Sequence, residues 1–77
     1  MILPQSLERI IALGGGVSID ASVYLPHSLE RFAALASKSG ATLIIYNSDS
    51  LLPQTMERIA ALGQGRVIFE FKKHGER

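Results

Sequence analysis

The residues of this chain with the chemistry to hold or transform a ligand fall in two short polar stretches, Asp20-Ala21-Ser22 and Tyr46-Asn47-Ser48-Asp49-Ser50. Each stretch follows an apolar run, so each would sit just past the end of a strand. In open parallel α/β sheets that edge is where ligands bind. Asp20, Asn47 and Asp49 are the candidates to orient a small polar ligand, with Asp20 or Asp49 as a general base. The same residue types also bond their own backbone and start turns for structural reasons. Asn47-Ser48-Asp49-Ser50 has the composition of such a turn, and turn formation is the stronger reading.

Other chemical candidates carry less. Gly14-Gly15-Gly16 is glycine-rich, but a phosphate cradle places its glycines after a strand and before a helix. These glycines follow a helical segment and lead into a strand, as a helix stop does. Ser6, Ser28 and Thr55 recur at one repeat position without a His and an acid in register, so no nucleophilic triad is supported. His27 and His74 are the only histidines and cysteine is absent, so a zinc site would need carboxylates or a second chain. His27 reads as a surface residue. No catalytic residue, metal site or cofactor is assigned, and the chain reads as non-enzymatic. The basic end Lys72-Lys73-His74-Gly75-Glu76-Arg77 could touch phosphates, but with Glu76 and no interleaved aromatics it reads as a polar tail.

The elements that position these residues come from repetition. Leu3–Gly14 (LPQSLERIIALG), Leu25–Ala36 (LPHSLERFAALA) and Leu52–Gly63 (LPQTMERIAALG) align without gaps, the first and third sharing nine of twelve residues. The spacing is uneven, 22 residues from Glu8 to Glu30 and 27 from Glu30 to Glu57. The extra residues fit a longer helix exit at Ala36–Gly40 and a loop near Asn47–Leu51. Each block predicts a helix. Pro4, Pro26 and Pro53 suit a first helical position, where a missing N–H loses nothing. Leucines at the N-caps are poor caps, offset by apolar staple pairs Ile2/Leu7, Tyr24/Leu29 and Leu51/Met56. Gly14, Gly40 and Gly63 or Gly65 would stop the helices. The alternating runs Val17–Ala21, Ala41–Asn47 and Arg66–Phe71 predict strands.

Strands joined by helical crossovers are parallel, with right-handed connections. The expected fold is therefore α/β: three tandem helix–strand repeats forming a two-layer unit. Its three-stranded parallel sheet has order 1-2-3, with the helices on one face. One domain is expected, with repeats at about 3–22, 25–48 and 52–72 and a polar tail at 73–77.

Composition narrows the function classes. Hydrophobic residues make up 47% and charged residues 19%, which excludes a disordered chain. Eight basic against seven acidic residues, net +1, argue against a dedicated nucleic-acid or membrane-surface binder. No apolar run approaches a membrane span, and the start lacks the pattern of a signal peptide. A soluble, cytoplasmic setting is expected.

The repeat lends itself to surfaces more than to catalysis. On the helix-free sheet face, Ile44, Tyr46 and Ile68 would form an apolar patch rimmed by Glu70 and other charges, the usual mark of a contact surface. Edge strands could also pair with another copy. The identical Glu8-Arg9, Glu30-Arg31 and Glu57-Arg58 pairs could build a charged ladder that recurs at an intermolecular joint. As a solvated face the ladder would be worth only ~0–1 kcal/mol per pair. The reading that follows is an interaction or self-assembly module, with its own copies as partner. A small-ligand-binding or minimal enzymatic domain is the alternative.

The short period resembles the leucine-rich and ankyrin-like classes of repeat. The leucine-rich signature requires an Asn or Cys at a set spacing past its strand. Leu43-Ile44-Ile45-Tyr46-Asn47 misses that spacing, and the other two strands have no such Asn. The resemblance covers repeat logic alone.

Overall fold

The computed structural model describes residues 2–71. Three helix–strand units follow one another: α1 (Pro4–Ala12) and β1 (Val17–Asp20), α2 (Pro26–Ser39) and β2 (Leu43–Tyr46), then α3 (Pro53–Gly63) and β3 (Val67–Phe69). A 3-10 turn, Ser48–Ser50, precedes α3. The sheet is parallel with order β1-β2-β3, as the repeat predicts. Its register aligns Val17, Leu43 and Val67 across the three strands. Lys72, His74 and the polar tail 73–77 lie outside the described residues.

The three helix starts are built alike. Leu3, Leu25 and Leu52 take extended backbone with ψ of 146°, 152° and 147°, the conformation that a following proline imposes. No side chain caps these ends. Proline removes one of the donors that would otherwise need a partner. The extra length of the second unit lies where the spacing predicts it, with α2 running for 14 residues against nine in α1.

Helix exits differ more. Beyond α1, Gly14 takes φ +94° while its N–H donates to the Ile11 carbonyl and that of Gly15 to the Ile10 carbonyl, both at 2.9 Å. That paired bonding is a Schellman stop, which explains the glycines without a phosphate. At the third exit Gly65, not Gly63, takes positive φ, at +87°. Gly63 is still helical, and the left-handed residue after it is Gln64, followed by Gly65.

The strands are shorter than the alternation implies. Asn47 takes φ 60° and ends β2 at Tyr46, so it does not continue the core face of Leu43 and Ile45. The core lies between the helices and one sheet face. α2 contributes Leu29, Phe32, Ala33 and Ala36, and β2 contributes Leu43 and Ile45. The central unit is the most buried because it alone has a neighbour on each side. Ser39 ties the units together by donating its hydroxyl to the Ile11 carbonyl at 2.6 Å. That carbonyl lies near the end of α1, where helical partners run out.

Candidate functional site

The helix-free face of the sheet carries Ser18, Ile44 and Ile68 in one row. The next row holds Asp20 and Tyr46. Glu70 extends that row, since its N–H donates to the Ile45 carbonyl at 2.9 Å and continues the ladder. Ile68 is 47% exposed and Glu70 is exposed, while Ile44 and Tyr46 are half-buried. The four expected interface residues therefore share one face, with the apolar side chains at its centre and carboxylates at its rim.

The ligand candidates divide. Asp20 and Asn47 come together: the Asn47 side-chain amide donates to Asp20 Oδ1 at 3.2 Å. The same oxygen accepts the Ser22 N–H at 2.9 Å and its hydroxyl at 2.7 Å. The Ser22 N–H bond is an Asx turn, and the Asn47 bond laces the end of β1 to the end of β2. Asp49 is exposed and lies instead on the 3-10 turn, after the buried Ser48. His27 is exposed on the first turn of α2. Among the described residues no group of three His, Cys, Asp or Glu is placed to hold a metal ion. No helix among them is long and apolar enough to cross a membrane.

Three features carry no clear signal in the sequence. A groove of about 480 Å³ wraps the outer edge of β1, from Ile10 and Tyr24 on the helix side to Ser18 and Tyr46 on the bare face. The cap leucines Leu3, Leu25 and Leu52 are 63%, 63% and 68% exposed, one at the start of each neighbouring helix. The charged ladder has a direction: Arg31 Nε meets Glu8 at 2.9 Å, and Arg58 meets Glu30 at 3.3 Å. Each arginine reaches back to the preceding unit.

Tyr24 anchors the groove by donating its hydroxyl to the Ile2 carbonyl at 2.9 Å. Burial raises its phenol above the ordinary value of 10.0, and charge on Tyr46 raises it further. The folded chain thus holds this proton more tightly than the unfolded chain. Its contribution is complete below the ordinary phenol value and is lost as pH rises through the raised one. The melting temperature should fall above about pH 10, and Tyr24→Phe should flatten that fall. Equal alkaline slopes for the two proteins would remove Tyr24 as the source.

Compared with protein-family models, curated proteins and solved structures, the chain gives no match.

Proposed function

We propose that the chain is a non-enzymatic self-association module, joining copies of itself through its bare sheet face or a strand edge. One observation carries this reading. The parallel sheet has helices on a single side, and its other face presents Ile44, Tyr46 and Ile68 between Asp20 and Glu70. Parallel sheets are ordinarily covered on both faces, and an apolar patch rimmed by charge marks a contact surface. A homodimer or larger oligomer in a cytoplasmic setting belongs to the same reading.

Tyr46→Asp tests the face. Light scattering on a sizing column should give the native protein a mass above one 8.4 kDa chain, rising with concentration. The variant should keep its helical circular dichroism and dissociate about thirtyfold more readily, the effect of losing a central aromatic contact. An unchanged mass profile removes the face from the reading and leaves the edges.

A small-ligand-binding or minimal enzymatic domain is the second reading, and the groove at β1 favours it. Its volume lies within the ~300–1,000 Å³ usual for ligand sites. Asp20 is the carboxylate on its wall, and its Oδ1 already accepts three hydrogen bonds from Ser22 and Asn47. That arrangement serves a turn at least as well as a ligand, so self-association remains the preferred function.

A further inference from the structure

We infer that copies join head to tail, the β1 edge and α1 flank of one copy seating on the β3 edge and α3 flank of the next. This deepens the self-association reading and rests on it. Its basis is that the internal joints repeat one pattern, and the two ends of the molecule carry the two unmatched halves of that pattern.

Charge gives the first half of the argument. Arg31 pairs with Glu8 and Arg58 with Glu30, always from one unit to the unit before it. Carried one step further, that rule needs a glutamate ahead of Arg9 and an arginine beyond Glu57. Among the described residues neither Arg9 nor Glu57 has an ion-pair partner. A second copy supplies both, its Arg9 meeting Glu57 of the first. A copy inverted to give a two-fold dimer would bring Arg9 to Arg9 or Glu57 to Glu57 instead. The charges therefore select a heterologous joint.

Packing follows the same phase. Ile10, Phe32 and Ile59 occupy one repeat position, yet Ile10 is 39% exposed while the other two are fully buried. That position faces the preceding unit, and among the described residues α1 has none. Ile11, Ala33 and Ala60 occupy the next position, and here the last is the exposed one. That position faces the following unit, and among the described residues α3 has none. A head-to-tail joint sets the large Ile10 against the small Ala60, as the last internal joint sets Ile59 in the unit after Ala33.

The backbone is in register as well. Val17 and Ala21 donate to β2, at the carbonyls of Thr42 and Tyr46, so alternation turns the Ser18 N–H to the outer edge of β1. Arg66 and Glu70 face β2 in the same way, which turns Val67 and Phe69 to the outer edge of β3. Continuing the observed register pairs Val67 with Val17 of the next copy. Exposed edges of this kind are templates for an added strand.

Charge reversal tests the joint in the full chain. Arg9→Glu and Glu57→Arg alone should each raise the concentration needed for assembly about tenfold, by setting like charges together. An equimolar mixture of the two should restore the native mass profile, because the copies can then alternate. Ser18→Pro should remove assembly while keeping the fold, since proline is tolerated where an edge-strand N–H points outward. Circular dichroism verifies folding for each. Two reversals that assemble like the native protein, or a mixture that fails to recover, overturn the joint. If Tyr46→Asp still dissociates such copies, the self-association reading stands without it. A native protein that stays monomeric at every concentration overturns both. A monomer that assembles only after removal of residues 72–77 assigns the β3 edge to the chain's own end and overturns the second copy as its occupant.

Discussion

Phe32→Ala is expected to leave the chain largely unfolded at room temperature. Phe32 is fully buried in α2, the helix with neighbours on both sides, and its ring meets that of Tyr24 edge-on at 5.6 Å and 81°. Truncating a buried phenylalanine to alanine costs about 3–5 kcal/mol. A single core in a chain of this size supplies only ~3–5 kcal/mol in total. The loss therefore matches the whole stability. Phe32→Leu keeps most of the volume and should cost less than ~1.5 kcal/mol, leaving a folded protein with a lowered melting temperature. Ile10→Ala supplies the contrast, because Ile10 holds the same repeat position at 39% exposure. In dilute solution, where no second copy covers Ile10, it should lower the melting temperature by only a few degrees, at about 4–8 °C per kcal/mol for a domain this small. Thermal unfolding followed by circular dichroism reads all three. Similar losses at Phe32 and Ile10 would mean that burial at this position does not depend on a preceding unit.

That contrast also marks what the sequence made legible. Three aligned blocks, proline at each helix start and glycine near each exit were enough to predict the element order and a parallel sheet in order 1-2-3. They were enough because helix entry depends on local chemistry, and topology follows from alternating elements. The shared face of Ile44, Tyr46, Ile68 and Glu70 was legible for a similar reason, since strand alternation has a fixed period. Strand ends were not. The end of β2 depends on the left-handed backbone of Asn47, which alternation alone extends as strand. Asp49 looked equivalent to Asn47 in sequence, and the 3-10 turn carries it away from the Asp20 cluster. Nor could the pattern rank Ile10 apart from Phe32 and Ile59. They are similar residues in similar blocks, and their exposure is decided by whether a neighbouring unit is present. The ladder's direction was hidden too, because adjacent Glu and Arg can each reach either neighbour.

Gly63→Leu should cost about 3 kcal/mol, and Val67→Ala should recover part of that loss. Gly63 is buried, helical and free of positive φ, so backbone freedom does not explain it. A Cβ placed there would collide with Val67 Cγ2, lie 3.3 Å from Val67 Cβ and sit 3.7 Å from Ala33 Cβ. Glycine is present so that β3 can pass close beneath the end of α3. Gly63→Ala sets two effects against each other. Alanine gains up to ~1 kcal/mol in helix propensity, but overpacking a stiff valine costs about 1–3 kcal/mol. The collision should win, giving a modest net loss that Val67→Ala converts into a gain. The equivalent residue of the second unit, Ala36, is fully buried and tolerates its methyl. The reason lies in the uneven spacing of the repeats. α2 runs on to Ser39 before the chain turns, whereas α3 ends at Gly63 itself and Val67 follows within four residues. Gly14→Ala should also destabilise, through its φ of +94°, with nothing within 4 Å to clash. Val67→Ala should leave that loss untouched. A double-mutant cycle with coupling for Gly63 and none for Gly14 would separate close approach from backbone strain. Equal coupling at both sites would refute the assignment.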